Sequence, residues 1–217
     1  MNTHLHLLEA MTAFYRAGGR PEAKERLIEL IRIQTENVVR KKPVACTDKY
    51  ERDWTPILTE GFDRVSYGHD LENVWLVADA CEAAGLDVRR YVPLFEKLWV
   101  SSRKYGFDEQ QGGFFAWGPL GRPAENRDKI WWVQAEALVS ALYMYRLTGR
   151  PSYREAFEKT WRFLREKQID WAHGEWHWAV GPDGRPHGPK GNIWKCAYHN
   201  GRAMMESIRL LGELDLE

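Results

Sequence analysis

Cysteine is scarce in this chain: Cys46, Cys81 and Cys196 are the only three, far apart and odd in number. That pattern argues against a disulfide framework and predicts a reducing, cytoplasmic setting. No HExxH or CxxC spacing occurs, so no zinc-ligand pattern is visible and no metal is expected. Net charge is also missing. Lys+Arg and Asp+Glu both number 31, which leaves no bias to steer the chain toward nucleic acid or an anionic membrane. No apolar run reaches membrane-spanning length. The N-terminus lacks the basic-then-apolar pattern of a signal peptide. No linker divides the chain, and no strong internal repeat stands out.

What is present in excess is tryptophan, with 11 in 217 residues. The hydrophobic content of 44% is enough for the core of one domain. Trp117, Trp176, Trp178 and Trp194 fall in loop-like, Gly-rich surroundings. Some of these pack loops over a core. Aromatic faces around a concave site, with a few polar groups, also suit a sugar, which has apolar C–H faces and many hydroxyls.

Hydrophobic periodicity predicts about seven helices. The first, residues 1–17, places Leu5, Leu8, Met11 and Tyr15 at helical spacing and aligns Asn2, His6 and Glu9 on one stripe, with His4 pointing away. Pro21 opens a second helix to about Val39, with Leu27, Leu30, Ile31 and Val38 on its apolar side. After a loop-rich stretch, further helices are predicted over 69–84, 89–104, 128–148 and 151–167. The last starts near Tyr198 and ends where Gly212 can terminate it. Long loops at 106–126 and 168–195 alternate with short turns, and GPDGRP in the second reads as a hairpin turn. The expectation is an all-α toroid of helical hairpins with its long loops on one side.

One stretch carries most of the chemical promise: Ser66-Tyr67-Gly68-His69-Asp70-Leu71-Glu72-Asn73-Val74-Trp75. Ser66 can cap a helix there and Gly68 relaxes its entry. His69 and Glu72, three residues apart, share a face in the first turn. The helix N-terminus disfavours a proton on His69 and a nearby carboxylate favours it, a balance suited to proton transfer near neutral pH. An ordinary capped helix with a satisfied histidine and a core tryptophan accounts for the same residues. The two ends of the chain add to the first reading.

MNTHLHLLEA, SYGHDLENVW and WKCAYHNGR, together with KIWWVQAEA and GGFFAWGP, resemble the cellobiose 2-epimerase branch of the N-acylglucosamine 2-epimerase family. The resemblance covers essentially the whole chain and corresponds to the C-terminal part of a family member of roughly twice this length. It implies an incomplete (α/α)6 barrel, one domain over residues 1–217, and cofactor-free epimerisation or isomerisation at C2 of an aldose. By the same resemblance, His69 and His199 are the two catalytic histidines flanking the reacting carbon, and Glu72 is the carboxylate partner of His69. His6, with Asn2, forms the third histidine position, tied to ring opening. Trp132 and Trp194 are sugar-holding walls, Glu136 is a further polar contact, and Arg202 has a structural reading. The implied partner is a mono- or disaccharide. Opening a toroid also exposes apolar flanks on its first and last helices, which predicts self-association or a missing N-terminal half-barrel as partner.

The chemistry explains the histidines. A C2 proton next to an aldehyde carbonyl is weakly acidic, and a base of near-neutral pKa can remove it. The cis-enediolate formed needs hydrogen-bond donors at its oxygens. Epimerisation returns the proton on the opposite face and so needs two bases; isomerisation returns it to C1. Two alternatives remain from sequence: a glycoside hydrolase using Glu72 and Glu136, and a sugar-binding module without turnover.

Overall fold

The computed structural model describes residues 1–59 and 61–216. Seven α-helices are found among them: α1 (Asn2–Gly18), α2 (Pro21–Arg32), α3 (Tyr67–Ala84), α4 (Val92–Gly106), α5 (Trp131–Thr148), α6 (Pro151–Phe163) and α7 (Tyr198–Glu213). π-Helical turns, Ile33–Val38 and Leu164–Gln168, continue α2 and α6 to the ends that periodicity predicted. A 3-10 turn, Val88–Tyr91, leads into α4.

The helices form two curved layers. α1, α3, α5 and α7 lie side by side, and α2, α4 and α6 back them as the return arms of hairpins. Burial follows that placement. α3 and α5 are packed on both sides and read as apolar nearly all round, with Leu71, Val74, Leu76, Leu138 and Leu142 inaccessible or nearly so. α2 and α6 are amphipathic and bury only stripes, such as Ala23, Leu27, Leu30 and Ile31 in α2.

Short β-ribbons join the loops at one end of the bundle. β1 (Val39–Lys41) pairs antiparallel with β2 (Val44–Cys46), and β3 (Arg64–Ser66) with β4 (Trp117–Pro119). β5 (Lys129–Ile130), β6 (Ala179–Val180) and β7 (Pro186–His187) form a third ribbon. The GPDGRP segment does turn a hairpin, between β6 and β7.

Two local expectations need correction, and one short turn motif recurs. Ser66 stands at the N-cap of α3, but its hydroxyl makes no capping bond; it is the last residue of β3 and its backbone is fixed by that ribbon. Gly212 does not end α7, which runs on to Glu213. A repeat is also present. Tyr15-Arg-Ala-Gly-Gly-Arg-Pro21 and Tyr145-Arg-Leu-Thr-Gly-Arg-Pro151 build the same hairpin turn. Gly19 (φ 63°) and Gly149 (φ 67°) adopt the left-handed conformation and donate to the carbonyls of Tyr15 and Tyr145 at 2.7 and 2.8 Å. The proline then starts the next helix without a donor to satisfy. In both copies the arginine after the tyrosine reaches α3: Arg16 bonds Asp79 at 2.7 Å and Arg146 bonds Glu82. Five identities in seven residues are few against the length of a hairpin, so the match falls short of the strong internal repeat that the sequence lacks.

Candidate active site

The inner helices bring four polar side chains to one level of the lumen: Glu9 of α1, Glu72 of α3, Glu136 of α5 and Arg202 of α7. The Arg202 guanidinium donates to all three carboxylates, at 2.8 Å to Glu136 Oε1, at 3.3 Å to Glu72 Oε1, and in close contact with Glu9 Oε1. It also donates to the Tyr198 hydroxyl at 2.6 Å. Two helical turns further along each helix a second set meets: Arg16, Asp79, Tyr143 and Arg209. Arg16 donates to Asp79, and the Tyr143 hydroxyl donates to Asp79 Oδ1 at 3.1 Å while accepting from Arg209 at 3.3 Å. These two levels tie α1, α3, α5 and α7 into one rigid frame.

One turn before the first level, toward the loop end, lie His6, His69 and His199. They line a cavity of about 420 Å³ together with Asn2, Glu72, Trp131, Trp132, Trp178 and Trp194. The cavity therefore gathers Asn2, His6, His69, Glu72, Trp132, Trp194 and His199 of the residues expected at the site, while Glu136 sits behind the wall. Trp132 lies between two of the histidines, with ring centroids 4.8 Å from His69 and 5.5 Å from His199. Gly68 makes that possible. A Cβ there would stand 2.5 Å from Trp132 and 2.9 Å from Val133, so its role is close approach of α3 to α5 rather than a relaxed helix entry.

Each histidine has a different environment. His199 Nδ1 donates to Glu136 Oε1 at 2.6 Å, leaving Nε2 for the cavity. His6 Nδ1 is 3.2 Å from Glu9 Oε2 and 3.4 Å from the Tyr198 hydroxyl. For His69, burial drives the pKa down to about 4; Asp48 opposes this, and His6 and His199 add to it. No hydrogen bond joins His69 to Glu72 among the described residues. Glu72 faces Arg202 instead, and the histidine–carboxylate pairs of this site are His199 with Glu136 and His6 with Glu9.

The carboxyls divide by charge. Burial, reinforced by Glu136, pushes Glu72 well above the usual range, with Arg202 opposing. Burial would also raise Glu136, but Arg202 and hydrogen bonds from His199 and Trp75 outweigh it and hold it ionised. The Trp75 indole donates to Glu136 at 2.6 Å. Glu9 is brought down to about 2 against its burial by His6, Arg202 and Tyr198. Two buried polar atoms of cavity-lining residues, Glu72 Oε2 and Trp131 Nε1, have no partner among the described residues. Such atoms are costly unless a polar ligand meets them.

Glu72, Glu136 and His199 offer ligand atoms within 4.8 Å of one another, a spacing that could hold a cation. Arg202 already supplies the positive charge there. No described helix is long and apolar enough to cross a membrane.

Several contributors were not singled out from sequence. Trp131 precedes Trp132, and neighbours on a helix do not share a face, yet both line the cavity because it wraps around the start of α5. Glu9 does lie on the Asn2/His6 stripe, and Arg202 is one turn from His199. Those offsets were the available signal for the carboxylate–guanidinium level. Of the four loop tryptophans, Trp178 and Trp194 reach the cavity; Trp176 is buried in the core and Trp117 stacks under Arg64.

Helical hairpins curled about a lumen, with histidines, carboxylates and tryptophans at one end of it, define the α/α-barrel class. Within that class the chain belongs to the N-acylglucosamine 2-epimerase (GlcNAc 2-epimerase) family, whose model matches residues 1–203. It is 33% identical over 218 residues to the cellobiose 2-epimerase of Bacteroides fragilis, covering 98% of this chain and 53% of that protein. Its fold is similar to the structure of cellobiose 2-epimerase from Bacillus thermoamylovorans, with a TM-score of 0.86, 33% identity, and coverage of 96% of this chain and 53% of the other. A D-mannose isomerase structure shares the fold at a TM-score of 0.83 and 22% identity, over 96% of this chain and 56% of that one. The chain spans about half the length of the curated relatives it matches.

Proposed function

We propose that this chain is the C-terminal portion of an (α/α)6 barrel, one domain over residues 1–217, and that it epimerises or isomerises an aldose at C2. The observation that carries this reading is the pairing of two unlike histidines across Trp132. His69 is held neutral by burial, and His199 is oriented by the ionised Glu136. Similarity to cellobiose 2-epimerases supports a reducing-end glucose- or mannose-type substrate.

In the mechanism, His6 assists opening of the sugar ring with its Nδ1 set by Glu9. The neutral imidazole of one flanking histidine takes the C2 proton, the C–H electron pair forms the C1=C2 bond, and the C1=O π pair moves onto O1 to give the cis-enediolate. The protonated Glu72 donates to an enediolate oxygen, which its raised pKa permits at neutral pH. The other histidine returns a proton to the opposite face of C2, so His69 and His199 exchange roles between epimers. Return to C1 would give the ketose. The acidity of the C2 proton comes from the adjacent carbonyl, so these steps call for no cofactor. Trp131, Trp132, Trp178 and Trp194 hold the rings, with Asn2 at the edge. The sparse cysteines support a reducing, cytoplasmic setting.

A second reading, sugar binding without turnover, has one observation in its favour: the chain spans about half of its relatives. Hydrolysis is disfavoured by geometry. Glu72 and Glu136 share one guanidinium and only Glu72 lines the cavity, whereas glycosidase carboxyls both face the scissile bond.

Proton NMR in deuterated water with cellobiose, mannose and N-acetylglucosamine tests the proposal. Loss of the C2 proton signal with a new epimer or ketose is the expected result. Saturable shifts without C2 exchange would leave the binding module standing and remove the enzyme.

A further inference from the structure

The rim tryptophan Trp194 and the cavity histidine His199 lie only five residues apart, on either side of the start of α7. That start has no side-chain cap. The segment is fixed from elsewhere, by the carboxylate of Glu175 in the turn before β6. Glu175 Oε1 accepts from the Lys195 ammonium at 2.7 Å, from the Asn200 amide at 2.7 Å, and from the backbone N–H of Trp176 at 2.8 Å. Lys195 is fully buried, donates also to the Lys190 carbonyl at 2.8 Å, and lies 5.7 Å from the ring of the cavity wall Trp131. Asn200 is buried next to His199. A neighbouring pair repeats the tie: Lys190 donates to Asp170 at 2.6 Å and to the Gly174 carbonyl at 3.0 Å.

Two costs accompany this arrangement. Taking a lysine ammonium out of water is unfavourable unless a partner compensates it. Glu175 also holds a left-handed backbone, φ 65°, which a side chain with a Cβ disfavours. Neither cost is needed to build a helical core. Both are explained if the ties fix the 190–200 segment in one position.

We propose that Glu175 is a positioning residue: through Lys195 and Asn200 it locks the segment that presents Trp194 to the rim and His199 to Glu136. The sugar wall and the base are then held by one carboxylate outside the cavity, and loosening it moves both together. The link to proton transfer rests on the function proposed above, but the positioning itself can be read without turnover.

The test compares Glu175→Gln, Lys195→Met and the double variant with the parent chain. Amide hydrogen exchange is followed across the protein, together with the downfield proton resonance of the His199–Glu136 hydrogen bond. In Glu175→Gln, exchange over residues 190–200 should rise about tenfold or more while α1 and α3 stay protected, and the downfield resonance should broaden. The double variant removes the stranded ammonium and should recover fold stability, but not the sharp resonance, because Asn200 still lacks its carboxylate. Unchanged exchange over 190–200, or an equal rise across the whole chain, would overturn the proposal. Where the parent catalyses C2 exchange, Glu175→Gln should lower kcat and raise KM together. A parent without C2 exchange would remove the enzyme reading while leaving the exchange and resonance results to decide this one.

Discussion

Glu72 and Glu136 are bound by the same nitrogen of Arg202, yet their surroundings push them in opposite directions: Glu72 well above the usual carboxyl range and Glu136 below it. One guanidinium cannot offset two buried carboxylates as well as Glu9, so the pair relaxes by placing a proton on the member with fewer donors. Glu136 has the indole of Trp75 and the ring of His199; Glu72 has neither.

That asymmetry predicts unlike outcomes for the same substitution. Glu72→Gln replaces a neutral carboxyl with a neutral amide and should change unfolding free energy by less than about 1 kcal/mol. Glu136→Gln strips the counter-charge from Arg202 and weakens the acceptor that orients His199 Nδ1. It should cost on the order of 3 kcal/mol or more and lower any turnover by up to about ten-thousandfold, as loss of an orienting carboxylate does in a Ser-His-Asp triad. Urea unfolding and C2 exchange rates of the two variants check this. Equal effects on stability would show that the two carboxyls are in the same charge state.

His69 supplies a pH signature. Its folded pKa, about 4, lies below the usual imidazole value because burial disfavours the cation. The unfolded chain therefore binds this proton more readily. The stabilising contribution is fully present above about pH 6.5 and is lost as pH falls from there toward 4. Its size is on the order of 3 kcal/mol. The difference in unfolding free energy between the parent and His69→Gln should shrink over that window. A difference that stays flat from pH 7 to 4 would place His69 in water and remove it as a neutral base.

Gly68 makes a prediction about shape. Its missing Cβ is the space that Trp132 occupies, with two ring carbons at 2.5 and 2.6 Å from where that atom would stand. Gly68→Ala should cost about 1–3 kcal/mol through overpacking. It should also shift tryptophan emission and weaken sugar binding more than an alanine on the outer face of α2 would. A crystal structure of the variant with Trp132 unmoved would sink this reading.

Much of this was legible in the chain, for reasons that differ by level. Helix ends were readable because Pro21, Pro151, Gly85 and Gly149 act within one turn. His69 was readable from its offset to Glu72 and His6 from its stripe with Asn2 and Glu9, whereas His199 was reached only through the resemblance of WKCAYHNGR to the family. The carboxylate level was not legible. Which glutamate faces which histidine depends on the rotation of α3 against α5 and α7, and no local pattern encodes that. Ser66 fails in a different way: a serine before a helix suggests a cap, but a ribbon with β4 claims its backbone first.

The edges of the layer make the last prediction. α5 packs an inner helix on each side, α3 and α7, whereas α1 packs closely along α3 alone and α7 along α5 alone; α1 and α7 touch through the Glu9, His6, Tyr198 and Arg202 side chains. The free side of α1 exposes Leu7 and Phe14, two turns apart, and that of α7 exposes Met205 and Ile208, one turn apart; Ile208 is 72% accessible. Each such side chain is worth about 1.5–3 kcal/mol when fully buried, so two on each edge favour association of this chain in solution. Sedimentation velocity should show concentration-dependent association of the parent, and Phe14→Glu with Ile208→Glu should return it to a monomer without lowering its melting temperature. The charged variant should also keep the His199–Glu136 bond, because both substituted positions face away from the lumen that Glu9 and Arg202 close. A parent that is monodisperse and monomeric at high concentration would mean that these apolar edges are tolerated in water, and the case for a companion surface would fall with it.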